Sequence, residues 1–93
     1  MALLLKDPSA TLDYSVDWGA EYLSGDALTS SNWDVSPAEP GGLEIVSSRS
    51  DLLVATAQVR GGVEGRIYRL TNHVGTAEGR EDSRSIMLRV EQR

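Results

Sequence analysis

Cysteine is absent from the sequence, and so is phenylalanine. Without cysteine the chain can form neither disulfides nor thiolate metal sites, and nothing in its composition points to an oxidising compartment. The only apolar run near the amino terminus, residues 2–5, is far too short to cross a membrane or to act as a secretory signal. We therefore expect the protein to be synthesised in the cytoplasm without Sec-type export.

Basic residues are also scarce, because 9 lysines and arginines face 14 aspartates and glutamates, for a net charge of −5. An acidic balance argues against nucleic-acid binding as a main role. The charge is unevenly placed: residues 1–44 hold eight acids and one base (−7), whereas residues 45–93 hold six acids and eight arginines (+2). Two interpretations stay open, namely scatter in a small chain, or a polar molecule whose copies attract one another end to end.

Apolar and polar residues alternate along most of the chain. Because successive side chains of a strand point to opposite faces, this period-two alternation predicts half-buried strands. The alternating segments are 12–18, 31–35, 43–47, 53–60, 67–74 and 83–90. Turn-forming residues separate them about every ten residues and no segment keeps a helical period, which predicts one all-β domain, an antiparallel β-sandwich or a small barrel.

The alternation also predicts which side chains face the core. The predicted core consists of Trp18, Trp33, Tyr68, Leu70, Ile86 and Leu88. Leu12 and Leu53 begin two of the alternating segments in the inward phase, and residues 49–51 are predicted to form a turn. The inward phase of both tryptophans favours a place in the core over a sugar-binding platform.

The first eleven residues differ from the rest of the chain. Residues 7–9, Asp-Pro-Ser, predict a turn because proline fixes its own φ and pushes the preceding residue out of the helical region. We therefore divide the chain into an N-terminal arm, residues 1–11, and a β-sandwich domain, residues 12–93. Exposed leucines lower solubility, so the leucines of the arm are expected to pack either on this domain's sheet or on a neighbouring subunit.

No constellation of residues predicts catalysis. The only histidine, His73, falls on the outward face of its strand, and the sequence has no nucleophile elbow, phosphate-binding glycine loop or His-x-x-x-His pair. Asp13 and Asp17 share a strand face, but roughly 13 Å of strand separates them, too far to hold one ion. Asp26, in the irregular segment 19–28, lacks the ligand spacing of a calcium loop. We predict a protein that is not an enzyme and that has no cofactor and no metal site.

The order of the aromatic landmarks resembles an immunoglobulin-like sandwich. Trp33 lies on an early strand, Tyr68 begins the penultimate strand, and Leu70 stands where antibody domains carry a cysteine. In that fold the tyrosine hydroxyl bonds to the backbone at the corner of the sandwich. The resemblance implies an all-β, Ig-like antiparallel β-sandwich of about seven short strands, without a disulfide.

Longer segments resemble one group of small proteins from tailed bacteriophages and prophages. The segments that carry this resemblance are Leu-Asp-Tyr-x-x-Asp-Trp at 12–18, Tyr-x-Leu-Thr-Asn at 68–72, Lys-Asp-Pro at 6–8, Gly-Asp at 25–26, Ser-Ser-Asn-Trp at 30–33, Gly-Arg at 79–80, and residues 85–90. Their order and spacing cover almost the whole chain. Members of that group are described as fiber-tail adaptors or minor virion structural proteins with a small Ig-like fold.

The resemblance implies a non-enzymatic virion structural protein, most simply a tail or fiber adaptor or a head–tail connecting component present in multiple copies. Its expected partners are tail, connector, fiber or capsid proteins and copies of itself in a symmetric ring or lattice, with neither nucleic acid nor a membrane. The alternatives are a capsid decoration (cement) protein and a carbohydrate-binding or cell-surface Ig-like module. The predicted assembly contacts are Leu3, Leu4, Leu5, Tyr22 and Leu23.

Overall fold

The computed structural model describes residues 3–21 and 25–92. These residues form seven strands and one helical turn. The elements are β1 (Leu3–Lys6), β2 (Thr11–Asp17), α1 (Trp18–Glu21), β3 (Leu28–Ser36), β4 (Leu43–Ser50), β5 (Val54–Gly61), β6 (Ile67–Thr76) and β7 (Glu81–Val90). The prediction of an all-β chain of about seven short strands is therefore confirmed.

The strands lie in two sheets, one with the order β1-β7-β6-β3 and the other with the order β2-β5-β4. All pairs are antiparallel except β1 and β7, which run parallel. With β2, β5 and β4 in the places of strands B, E and D, and with β3, β6 and β7 in those of C, F and G, this is the strand order of an immunoglobulin-like sandwich. The predicted fold class is confirmed.

The core lies between the two sheets and is filled from both. The buried hydrophobic residues are Val16, Trp18, Leu28, Trp33, Leu43, Ala55, Ala57, Val59, Tyr68, Leu70, Val74, Leu88 and Val90. Five of the six predicted core residues are among them, and the sixth, Ile86, is partly buried against the same cluster. The middle strand β5 contributes the fully buried Ala55, Ala57 and Val59.

Two leucines expected in the core lie outside it. Leu12 is 39% exposed because it stands near the start of β2, an edge strand that only β5 covers. Leu53 is 46% exposed because it belongs to a turn, where the Asp51 carboxylate accepts the N–H groups of Leu53 and Val54 at 2.8 Å. The predicted turn at residues 49–51 is also wrong, since β4 stays paired with β5 as far as Ser50.

Trp18 is buried as predicted, but it lies in the helical turn α1 and not on strand β2. Strand β2 ends at Asp17, whose carboxylate accepts the N–H of Ala20 at 3.1 Å, and Trp18 begins the helical turn α1. The indole ring is fully buried, and the guanidinium of Arg84 lies 4.9 Å from its centroid, within the range of a cation–π contact.

Asn72 is a polar residue at an inward position of β6, and it is fully buried. Its Oδ1 accepts the indole N–H of Trp18 at 2.9 Å, and its Nδ2 donates to Ser31 Oγ at 2.9 Å and to the Asn32 carbonyl at 3.1 Å. A buried amide is tolerated when its oxygen and nitrogen are both bonded. The Asn72 side chain therefore connects β6 to β3 of the same sheet and to Trp18, which directly follows β2 of the other sheet.

Tyr68 makes the corner contact that the Ig-like resemblance implies. Its hydroxyl accepts the N–H of Val63, five residues upstream, at 2.9 Å and donates to Glu39 Oε1 at 2.7 Å. Burial is the main cause that raises the pKa of Tyr68 above its usual value. The hydroxyl thus joins the β3–β4 connection to the β5–β6 connection at one end of the sandwich.

Asp26 holds the tip of the β6–β7 hairpin at the opposite end. Its buried carboxylate accepts the N–H groups of Ala27 at 2.8 Å and Glu78 at 3.1 Å, and the Arg80 guanidinium at 3.0 and 3.2 Å. Burial by itself raises the pKa of Asp26, but the hydrogen bonds from Thr76, Ala27, Arg80 and Glu78 outweigh it and lower the pKa to about 2.

The first prediction concerns Tyr68→Phe, which removes a buried hydroxyl with two partners. We expect a loss of about 1–3 kcal/mol in the free energy of unfolding, because the hydrogen bond from Val63 and the hydrogen bond to Glu39 are both lost while the ring volume is kept. Denaturant titration measures it. Tyr14→Phe is the matched control, since the half-buried Tyr14 hydroxyl has no hydrogen-bond partner among residues 3–21 and 25–92; equal losses in both variants would contradict the corner contact.

The second prediction concerns the pH dependence of stability. A carboxyl whose pKa is lowered in the folded state contributes stability that is present above its unfolded pKa, about 4, and is lost as the pH falls toward the folded pKa. At pH 6 we expect Asp26→Asn to unfold at a lower denaturant concentration than the parent protein. The difference between the two unfolding midpoints should narrow between pH 4 and pH 2. Asp13→Asn, which removes one exposed charge, controls for net charge; a gap independent of pH would contradict the assignment.

Candidate functional site

The three leucines predicted as assembly contacts form most of β1. They pair in parallel with Met87, Leu88 and Arg89 of β7, yet their side chains stay 48%, 40% and 45% exposed. Their backbone therefore belongs to the domain's own sheet while much of their apolar surface remains uncovered. That these leucines are assembly contacts stays a prediction, and so does the division into an arm, residues 1–11, and a domain, residues 12–93.

The other two predicted contacts, Tyr22 and Leu23, lie outside the described residues. The chain after them is well placed by hydrogen bonds: Ala27 O accepts the N–H of Ala77, and Leu28 N donates to Leu52 O, both at 2.9 Å. Ala27 and Leu28 therefore lie at the hairpin-tip end of the sandwich.

Lys6 fixes the end of β1 to the rest of the sandwich. Its side chain is fully buried, and its Nζ donates to the Gly61 carbonyl at 2.8 Å and to the Asp7 carbonyl at 3.0 Å. The Lys6 carbonyl accepts the N–H of Glu91 at 2.9 Å. Burial lowers the pKa of Lys6, and the nearby Asp7 carboxylate partly offsets this. Sequence reasoning missed this anchor, because Gly61 is 55 residues away in the chain.

The alternation of side chains sorts the leucines onto two faces. Leu4 shares the inner face with Leu88 and with the buried Lys6, whereas Leu3 and Leu5 point outward beside Met87 and Arg89. On the next strand, Ile67 stands opposite Arg89 and Arg69 stands opposite Met87. We name this surface the β1 face. It consists of Leu3, Leu5, Ile67, Arg69, Met87 and Arg89.

The outer face of the other sheet has a different character. It carries paired polar groups: Ser15 and Thr56 hydroxyls 2.8 Å apart, an Arg49–Asp13 ion pair at 3.6 Å, and an Arg60–Glu44 ion pair at 3.2 Å. Polar groups satisfied within one face have little to gain from a partner. The apolar β1 face is therefore the stronger candidate for a contact with another protein.

Residues with catalytic or metal-binding chemistry do not come together in the part of the chain that the structure describes. His73 lies on an outer face as predicted, and its Nε2 is 2.8 Å from the exposed Asp34 carboxylate. No group of three metal-ligating side chains forms among residues 3–21 and 25–92. In the described part of the chain, no helix is both long enough and apolar enough to cross a membrane. The predicted absence of enzymatic activity stays a prediction.

Comparison with known proteins points to one family. A family model described as "Podophage GP4 fiber-tail adaptor protein gp77" matches residues 6–89 of the chain. Among curated proteins, none matches. The matched range includes the buried Lys6 and the strands β2 to β6, and it ends one residue before the end of β7.

The third prediction tests the role of Lys6 as the anchor of β1. Lys6→Met keeps an unbranched apolar stem but removes the ammonium that bonds to Gly61 and Asp7. We expect hydrogen exchange of the Glu91 amide, which donates to the Lys6 carbonyl, to speed up by about tenfold or more, because two ammonium–carbonyl bonds are lost and about 1.4 kcal/mol is enough to raise local opening tenfold.

The matched control is Leu5→Met, which changes an outward side chain of the same strand. It should leave exchange of the Glu91 amide unchanged, and amides of β5 should be unaffected in both variants. Unchanged exchange of Glu91 in Lys6→Met would show that the ammonium does not hold β1.

Proposed function

Because the chain belongs to the podophage GP4 fiber-tail adaptor protein family, we propose that it is a structural component of a podophage virion that joins the fibers to the tail without catalysing a reaction. The observation that carries this proposal is the family match over residues 6–89. The expected partners are therefore tail and fiber proteins, and the expected location is the virion.

The shape of the molecule supports a linking role. The Cα atoms span 42 Å along the longest axis and only 22 and 18 Å along the others. The β1 face includes Ile67, the first residue of β6, whereas Leu28, the first residue of β3, lies beside Thr76, the last residue of β6. The β1 face and the tip of the β6–β7 hairpin thus lie toward opposite ends of an elongated molecule, which suits a protein that touches two neighbours.

The core supports the same role. The two sheets are held by a continuous buried cluster and by the Trp18–Asn72 hydrogen bond, so the sandwich can transmit force between its ends as one body. Because most protein assemblies are symmetric, we propose that several copies of the chain occupy equivalent positions on the particle.

Particles made without the protein test this function. Phage carrying a stop codon early in its gene should assemble tails that lack fibers, as seen by electron microscopy and by mass spectrometry of purified particles. Complementation with the intact gene should restore the fibers. Particles with a normal fiber complement, or with the protein distributed over the capsid surface, would contradict the proposal.

The fourth prediction assigns the β1 face to assembly. The double variant Leu3→Ser/Leu5→Ser removes two half-exposed leucines, and we expect it to fold, since each change costs about 1 kcal/mol or less when full burial of a leucine is worth about 1.5–3 kcal/mol. Incorporation into virions, measured as copies per particle, should be lost.

The double variant Val46→Ser/Leu52→Ser is the matched control. It removes two exposed apolar side chains, 43% and 67% accessible, from β4 and from the turn that follows it. It should be incorporated normally. Equal incorporation of both double variants at equal denaturant midpoints would exclude the β1 face as an assembly contact.

A further inference from the structure

The edges of the two sheets are not protected equally. The four edge strands are β1 and β3 in one sheet and β2 and β4 in the other. Proteins block pairing at open edges with exposed charges, bulges or proline. Strand β3 has an irregular register near Leu28 and the exposed Asp34, β2 carries Asp13 and Asp17, and β4 has an irregular register after Ile45.

Strand β1 has none of these protecting features. It consists of three leucines and Lys6, and its register with β7 is regular. The only charge of the strand, on Lys6, is buried against two backbone carbonyls and so does not face the edge. Among the described residues, no strand covers the side of β1 that faces away from β7. An uncharged, regular edge of this kind is a template for pairing with another strand.

The hydrogen bonds between β1 and β7 show which backbone groups of β1 face the open edge. In a parallel pair, alternate residues direct both their N–H and their C=O toward the same neighbour. The Lys6 carbonyl accepts the N–H of Glu91, the residue after β7, and Lys6 stands opposite Val90, the last residue of β7. Lys6 and Leu4 therefore bond to β7, and Leu3 and Leu5 present their N–H and C=O groups to the open edge.

The edge-facing backbone groups of Leu3 and Leu5 can pair with the same groups of a second copy of the strand. When two β1 strands run antiparallel about a two-fold axis at Leu4, each Leu3 stands opposite Leu5 of the second copy as a hydrogen-bonded pair. Leu4 then stands opposite Leu4 of the second copy as a non-hydrogen-bonded pair. All the edge-facing groups of Leu3 and Leu5 find partners, and every opposed pair of side chains is leucine against leucine.

Charge does not oppose such a contact. The nearest exposed cation on the β1 face, Arg89, is held by Glu91 of the same chain at 2.7 Å. Each chain carries a net charge of −5, but repulsion between charges that are far from the contact is screened within about 10 Å at ordinary salt.

We propose that two copies of this chain associate through antiparallel pairing of their β1 strands, which joins their four-stranded sheets into one continuous sheet. The proposal rests on the proposed function in one respect, since it names the surface through which copies meet on the particle. A contact made by one short strand per copy buries little area, so the dimer is weak when the protein is dilute and gains strength where copies are held close together.

The absence of cysteine from the chain allows a direct test. In the Leu4→Cys variant, the two-fold axis places the Cα atoms of the two cysteines about 4.5 Å apart, within reach of a disulfide. In Leu5→Cys, the same register separates them by roughly 8 Å, which a disulfide cannot span. Both positions are similarly exposed, at 40% and 45%.

Under mild oxidation of the purified protein, Leu4→Cys should give a disulfide dimer as its main product, while Leu5→Cys stays mainly monomeric. Leu52→Cys, at an exposed turn, reports random collision. Equal dimer yields for all three variants, or a higher yield for Leu5→Cys, would overturn the proposed register and with it the proposal.

A second pair of variants tests the edge itself. Leu5→Pro removes an N–H that faces the open edge and donates no hydrogen bond to β7. Leu5→Val also shortens the leucine side chain but keeps this N–H. In sedimentation equilibrium, the average mass of Leu5→Val should rise with concentration toward two chains, and this rise should be lost in Leu5→Pro.

The same rise in both variants would overturn the proposal. Loss of virion incorporation in Leu5→Pro, without cross-linking of Leu4→Cys in solution or in particles, would place a different chain on the edge and overturn a second copy as the occupant. Because the dimer is measured on the purified protein, its failure leaves the fiber–tail role standing, and a failure of that role leaves the dimer measurable.

Discussion

The buried hydrogen bond between Trp18 and Asn72 is the contact on which the rest of the sandwich depends. In antibody domains a disulfide joins the strands at the places of β2 and β6, and this chain has no cysteine. Here the indole N–H of Trp18, directly after β2, donates to the amide of Asn72 on β6. A polar group buried in a core costs stability unless it is bonded, so the sheets must keep the one spacing that satisfies both partners.

The two ends of the sandwich are closed by different chemistry. Tyr68 joins two connections through a neutral hydroxyl, and Asp26 holds the hairpin tip through a carboxylate with a lowered pKa. Between these ends the core is apolar and continuous. The result is an elongated body whose contact surfaces can differ while its interior stays the same, which is what a fiber-tail adaptor needs in order to join two unlike partners.

Strand β1 belongs to the fold and, in the proposed pairing, also forms the contact between copies. Lys6 secures the strand by burying its ammonium against the Gly61 and Asp7 carbonyls, while the three leucines before it keep nearly half of their surface exposed. A free tail would lose conformational entropy on docking. A strand already held in the sheet has lost most of it before a partner arrives, so an apolar contact there yields more net binding free energy.

Local alternation determined which strands form and which of their faces are buried, because side-chain direction follows from strand geometry alone. It placed Tyr68 and Leu70 inward on β6, and both are buried. It misplaced Leu12 and Leu53, since the period does not tell an edge or a turn from a covered strand. The exposed leucines could be selected from composition, but the open edge of β1, the burial of Lys6 and the role of Asp26 were decided by tertiary structure. Each of them depends on groups some 50 residues away along the chain, such as Gly61, Glu78 and Arg80, and no local pattern encodes a contact at that separation.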